Sequence, residues 1–121
     1  MVKLESLKKS YQFKQTLKEK KVHSEFFSIF AAKSFYKPKY KEDLIVSFVM
    51  KKKIGNAVKR NKIRRKLKAI VQMLLKKRGA ISKDYTYIVF GKSNAYLQKQ
   101  NVLMPLMEKC FNEIKMKWLN Y

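Results

Sequence analysis

Apolar residues along the chain keep two different periods, and the switches between them mark the elements. Leu44-Ile45-Val46-Ser47-Phe48-Val49-Met50 is a nearly continuous apolar run of strand length, which predicts a buried strand. From Ala57 the period turns helical: Ile63, Leu67, Ile70, Val71 and Leu74 fall at i, i+4, i+7, i+8 and i+11, one stripe down a helix. Asn56 suits its N-cap, and Gly79 suits its end, just after Lys76-Lys77-Arg78 at the negative pole of the helix dipole. Asp84 to Phe90 reads as a strand closed by Gly91. From about Asn101 to Leu119 a second stripe runs through Leu103, Leu106, Met107, Cys110, Phe111, Ile114 and Trp118, with Pro105 expected in the first turn. Upstream, Ser10 to about Lys20 predicts a short helix capped by Ser10, with Phe13 and Leu17 on one face. His23 to Ala32, rich in Phe and Ile, predicts a strand, and Lys33 to Lys41, with Pro38, a basic loop. The order is helix, strands, helix, strand, helix: an α/β sandwich of helices on a small sheet, expected as one domain over residues 1–121.

Charge changes this picture of an ordinary small fold. The 121 residues carry 30 Lys and Arg against 8 Asp and Glu, a net charge of +22. Such a chain repels itself when compact, and the partner that removes the repulsion is a polyanion, most commonly a nucleic acid. A hydrophobic share of 46% is enough for a packed core, so the charge does not imply disorder. One Cys (Cys110) and one His (His23) exclude an intramolecular disulfide, a cysteine zinc site and a histidine metal cluster. No apolar run approaches the ~18 residues of a membrane span, and the first residues lack a signal peptide's apolar stretch. The expected location is the cytoplasm, with no membrane partner. Glu42 and Asp43 are adjacent at a strand entry and point opposite ways, which argues against a two-carboxylate active site.

The positive charge is concentrated. Between Lys51 and Arg78, 13 of 28 residues are Lys or Arg and none is acidic. At about 100° per residue, Asn61, Arg65, Lys68 and Gln72 lie opposite the apolar stripe. Arg60 and Arg64 follow one edge of it, Lys59 and Lys66 the other. A solvated helix face ordinarily mixes signs; this one presents a continuous cationic surface, with Arg forks and Lys point charges that suit phosphate oxygens and an Asn that can bond sugar or base edges.

The stretch Lys52-Lys53-Ile54-Gly55-Asn56-Ala57-Val58-Lys59-Arg60-Asn61-Lys62-Ile63-Arg64-Arg65 resembles the signature of the bacterial ribonuclease P protein component: a Lys pair, a Gly, an Ala-Val pair, Arg-Asn-Arg, then an apolar residue and two basic ones. Leu7-Lys8-Lys9 resembles the family's N-terminus, and Asp84-Tyr85 to Gly91 its fourth strand. Two positions depart. Lys62 stands where the last Arg of Arg-Asn-Arg is usual, and Lys51 where a Ser is usual. The resemblance implies an α+β fold of order α-β-β-β-α-β-α, with a small, mainly antiparallel sheet. It also implies a role beside a large catalytic RNA, in removing the 5′ leader of precursor tRNA, with Mg²⁺ held mainly by that RNA and no catalytic residue in the protein. Lys52, Lys53, Lys59, Arg60, Asn61, Lys62, Arg64, Arg65 and Lys68 would meet the catalytic RNA. A cleft between the first helix and the sheet would hold the single-stranded leader, with Phe13, Leu17, Phe26, Phe27, Ile29 and Phe30 as its candidates. Which strand residues face the cleft depends on register, since a slip of one exchanges the faces.

Two other functions fit a basic chain: a ribosomal or chaperone-like protein that only binds rRNA, and a DNA-binding protein that reads the major groove with the 57–78 helix. The second lacks the helix and tight turn that should precede a recognition helix. Of the single residues, His23 is expected at an exposed loop or strand edge, with a phosphate contact as the rival role. Cys110 and Trp118 are expected in packing.

Overall fold

Alternation and pairing produce a five-stranded sheet in the computed structural model, which describes residues 4–7, 9–33, 44–77 and 79–119, with side chains through residue 117. The strands are β1 (Leu4–Glu5), β2 (Lys20–His23), β3 (Phe27–Lys33), β4 (Leu44–Val49) and β5 (Tyr85–Gly91); the helices are α1 (Ser10–Leu17), α2 (Ala57–Leu75) and α3 (Gln100–Leu119). Spatial order is β1-β4-β5-β3-β2. The sheet is mixed rather than mainly antiparallel. β2 pairs antiparallel with β3 and β3 with β5, but β4 runs parallel to both β5 and β1. The parallel β4–β5 pair requires a crossover, and α2 supplies it.

Each strand splits its side chains between two environments. Phe27, Ile29 and Ala31 of β3, Tyr87 and Val89 of β5, and Leu44 and Val46 of β4 join one core with the apolar stripes of α2 and α3. In α2 the buried residues are Ile63, Leu67, Ile70, Val71 and Leu74, the stripe its period predicts. Leu103, Met107, Cys110, Phe111 and Ile114 of α3 complete this core. Tyr87 stands edge-on to Phe111, with ring centroids 5.0 Å apart, and its hydroxyl donates to Ser82 O at 2.8 Å. On the opposite face a smaller cluster of Leu7, Ile45 and Ile88, flanked by Phe13, Phe30, Val49 and Phe90, seats α1. Ser47 accepts from Leu7 N at 2.8 Å, tying the segment before α1 to the sheet.

Several boundaries depart from the sequence pattern. The expected strand from His23 to Ala32 is broken near its start: His23 ends β2, Ser24 turns the chain, its Oγ donating to Phe27 O at 2.9 Å, and β3 runs from Phe27, with β2 paired back on it. The two-residue β1 precedes α1, so the order is β-α-β-β-β-α-β-α. α1 stops at Leu17, and its N-cap is Lys9, whose N–H donates to Gln12 Oε1; Ser10 is already helical. α2 ends at Leu75 with Lys76 as C-cap. Pro105 lies in the second turn of α3, beyond the first-turn positions whose N–H groups have no helical partner, so one helical bond is missing. Lys8, the loop around Pro38, Glu42-Asp43, Arg78 and the Trp118 side chain lie outside the described residues.

Candidate nucleic-acid interface

An eight-residue helix is too short to cover its face of a five-stranded sheet, and the uncovered part is a groove. It has a volume of about 650 Å³ and is lined by Leu17 of α1, His23 and Ser28 of the β2–β3 hairpin, Phe30 and Phe90 of the sheet, and Lys51, Lys53, Ile54, Lys92 and Ser93 at one end. The register Ser28↔Phe90 and Phe30↔Ile88 sets Phe30 and Phe90 diagonally on one face, edge-on at 5.4 Å. Lys51 Nζ lies 5.6 Å from the Phe90 ring centroid, and Lys92 Nζ donates to Ser24 O. The groove therefore pairs aromatic faces with ammonium groups, the two features that grip a single-stranded nucleic acid without reading its sequence.

At its lysine end the groove runs into the start of α2. Lys52–Ile54 form a short 3-10 turn, and Gly55 then takes φ 153°, a conformation that residues with a side chain rarely adopt; a Cβ there would lie 2.8 Å from Lys59 Cδ. This turn delivers Asn56 as N-cap, its Oδ1 accepting from Lys59 N at 2.9 Å. Gly91 marks a second close approach, since a Cβ would run into Met50 Sδ and lie 2.8 Å from Ile63 Cγ2. That approach brings the end of β5 against α2.

The cationic helix has two differently built edges. Lys59 Nζ donates to Ser93 Oγ at 2.8 Å, and Lys59 and Lys62 stand 5.4 and 4.7 Å from the Tyr96 ring centroid. Lys66 Nζ donates to the carbonyls of Ala95, Tyr96 and Gln98 at 3.0, 2.8 and 2.6 Å. Burial, with the neighbouring Lys62 charge, lowers the Lys66 pKa, and the three carbonyls hold the ammonium in place. Lys66 is thus a clamp for residues 95–98. On the other edge, Arg64 Nη1 donates to Asn61 Oδ1 at 2.7 Å. Asn61, Lys62, Arg65 and Lys68 are exposed, and Arg60 and Arg64 are half-buried.

The ribonuclease P family model matches residues 1–115 of this sequence. The chain belongs to the ribonuclease P protein family. The ribonuclease P protein component of Mycoplasma capricolum subsp. capricolum is 30% identical over 109 residues, spanning 90% of this chain and 94% of that protein. That of Mycoplasma mycoides subsp. mycoides SC is 31% identical over the same shares. Among solved structures, the ribonuclease P protein from Thermotoga maritima superposes with a TM-score of 0.72 at 21% identity, covering 91% of this chain and 97% of that one. The Staphylococcus aureus ribonuclease P protein gives 0.63 at 23% identity, covering 88% and 92%. These two likenesses are of fold.

Against this groove, the six aromatic and aliphatic candidates divide. Leu17, 38% exposed, and Phe30 line it. Phe13 packs α1 onto the sheet beside the groove rather than lining it. Phe26, Phe27 and Ile29 are corrections: they belong to the core under α2 and α3, and Phe27 and Ile29 have no exposed surface. The pleat places Phe27 and Ile29 opposite Ser28 and Phe30. Phe90, His23 and Ser28 take their place, and only strand pairing brings these three together. Lys59, Arg60, Asn61, Lys62, Arg64, Arg65 and Lys68 lie on α2 outside its buried stripe, and Lys52 and Lys53 in the turn before it. Of these Lys59 is engaged by Ser93 and Tyr96, as the edge residue Lys66 is by the carbonyls of Ala95, Tyr96 and Gln98. Tyr96, which seats Lys59 and Lys62, carried no sequence signal, since its neighbours 93–98 follow no period.

Proposed function

We propose that this chain is the protein subunit of ribonuclease P, an endoribonuclease, acting in the cytoplasm with a large catalytic RNA to remove the 5′ leader of precursor tRNA. The observation that carries this reading is continuity. Lys51, Lys53, Ile54 and Ser93 line the aromatic groove and lead directly into the cationic face of α2. One surface is thereby suited to an unpaired strand at one end and to folded RNA phosphates at the other. Lys52, Lys53, Arg60, Asn61, Lys62, Arg64, Arg65 and Lys68 would meet the catalytic RNA, with Lys59 fixed beside them. Leu17, Phe30 and Phe90 would floor the leader.

The reaction is hydrolysis of the phosphodiester at the tRNA 5′ end, assigned to the RNA and to Mg²⁺ held mainly by it. Mg²⁺ takes oxygen ligands, and the groove and α2 offer ammonium and guanidinium groups instead; no group of three His, Cys, Asp or Glu that could hold a metal occurs among the described residues. The chain's own work is to neutralise phosphates where two RNAs converge and to position the leader. A DNA-reading role for α2 is disfavoured by what precedes it, a strand and a 3-10 turn rather than a helix and tight turn. No helix among the described residues is long and apolar enough to cross a membrane.

Reconstitution tests the proposal. The protein alone should leave precursor tRNA intact, and with its cognate RNA at moderate Mg²⁺ it should accelerate cleavage. It should also raise affinity for a precursor carrying a leader of several nucleotides over that for mature tRNA. Cleavage by RNA-free protein, or equal affinity for the two RNAs, would overturn it.

A further inference from the structure

The groove's wall is mostly carbon and ammonium, with the Ser28 and Ser93 hydroxyls, and His23 adds an imidazole to it. It sits on the edge strand β2, directly opposite Ser28 in the β2–β3 register, and its Nδ1 lies 2.6 Å from Ser28 Oγ. Its ring stands edge-on to Phe30, with centroids 5.8 Å apart and planes at 83°. Both restraints fix the imidazole in one orientation. The roles in this Nδ1–Oγ bond depend on the tautomer, which is assigned from the hydrogen-bond network. Ser28 is buried, 5% exposed, so its hydroxyl proton needs an acceptor, and among the described residues Nδ1 is the partner found. A neutral His23 that accepts at Nδ1 carries its proton on Nε2. His23 is itself exposed and lines the groove with Phe30, Phe90 and Leu17. Nε2–H is thus an oriented donor beside stacking platforms, whereas Lys51 and Lys53 are flexible point charges that match phosphates rather than base edges.

We propose that His23, held by Ser28, is a specificity-determining residue: its Nε2–H donates to a ring-nitrogen or carbonyl acceptor on the edge of one unpaired base stacked in the groove. Ser28 acts through His23 and is a positioning residue. The inference rests on the reading of the groove as the leader site and adds to it a directional hydrogen bond. A stack alone accepts any base, because every base has a π-face, while a fixed donor distinguishes a base that presents an acceptor from one that does not.

The test uses the reconstituted holoenzyme and precursor tRNAs whose leader nucleotides are replaced, one at a time, by a 4-methylindole nucleotide, which stacks but offers no acceptor. In the wild type, binding should weaken about 3- to 10-fold at one leader position, the range of a single neutral hydrogen bond. His23→Ala should bind the natural leader as weakly as the wild type binds that modified one, and should lose nothing more on modification. His23→Gln, whose side-chain amide nitrogen reaches close to the imidazole Nε2 position, should retain part of the discrimination. Ser28→Ala should reduce it without changing the salt dependence of binding. Phe90→Ala should weaken natural and modified leaders alike. The inference is overturned if the wild type responds at no position, if His23→Ala remains as sensitive as the wild type, or if the His23→Ala defect is a lower salt slope, the mark of a phosphate partner. A wild type that binds leader-bearing and mature tRNA equally defeats the leader reading as well; leader dependence without analogue sensitivity defeats only the role of His23.

Discussion

The two faces of the sheet are built from the same strands and end in opposite fates. Phe27, Ile29, Tyr87 and Val89 lie under α2 and α3, helices of 19 and 20 residues, and are sealed from solvent. Ser28, Phe30 and Phe90, one residue along each strand, lie under α1, which has eight residues and leaves part of its face open. Aromatic rings on the sealed face contribute to stability. On the open face they are half-buried platforms beside lysines, available to a ligand at little structural cost. Where a chain this basic leaves aromatic surface uncovered, the missing cover is a candidate place for its polyanion.

Substitutions can break this comparison. The largest effect is expected at the sealed face: Phe27→Ala should cost about 3–5 kcal/mol of stability and lower Tm by about 10 °C or more, while the folded fraction keeps its preference for leader-bearing RNA. Thermal unfolding followed by binding at low temperature checks both parts. At the open face the balance reverses. Phe90→Ala should weaken leader-bearing precursor by about 1–3 kcal/mol relative to mature tRNA, with a smaller change in Tm. Phe13, which packs α1 onto the sheet rather than lining the groove, should follow the sealed-face pattern more than the open one. Beyond the groove, Arg64→Ala with Arg65→Ala should leave the fold intact, because neither side chain enters the buried stripe. The double mutant should lower the log–log salt slope of catalytic-RNA binding by about 0.7–0.9 for each phosphate it no longer neutralises; an unchanged slope would remove this edge from the interface.

The smallest effect concerns the sealed face and pH. Burial, aided by the Tyr85 and Asp84 charges, raises the Tyr87 hydroxyl above its ordinary pKa of 10.0. The unfolded chain therefore loses this proton at lower pH than the folded one. The contribution is complete below about pH 10 and fades as pH rises through the folded value. Tyr87→Phe should cost about 0.5–1.5 kcal/mol at neutral pH, through loss of the bond to Ser82 O, and should fall less steeply in stability above pH 10. Denaturant titrations at about pH 7 and pH 11, on either side of the ordinary tyrosine pKa, measure the difference.

The elements that the sequence made plain are those whose period is set by one continuous burial. In α2, the stripe from Ile63 to Leu74, the Asn56 cap and the acid-free outer face all follow from residues within a few turns of each other, so the cationic half of the site was legible, and the family resemblance rested on the same stretch. Less legible was any feature set by pairing between distant segments. The run from His23 to Ala32 looks like one strand because Phe and Ile continue through it; the turn at Ser24 shows itself only when β2 folds back on β3. A sheet with β4 parallel to its neighbours on both sides leaves no mark on the strand sequences, since a buried strand is apolar in either direction.

What the sequence determined by itself is therefore local: a helix with one apolar and one cationic side, strands rich in aromatics, and a net charge that calls for a polyanion. The tertiary structure alone decided which aromatics face outward. The side-chain period of a strand is two, so Phe27 and Phe30 differ in fate by register and by which helix covers which face, and both depend on chain folded from elsewhere. The same long-range pairing set Phe90 beside Phe30, fixed His23 against Ser28, and seated Lys59 and Lys62 on Tyr96. None of these neighbours is encoded in spacing along the chain, because each pair joins residues whose separation in space is set by the sheet and not by the sequence between them.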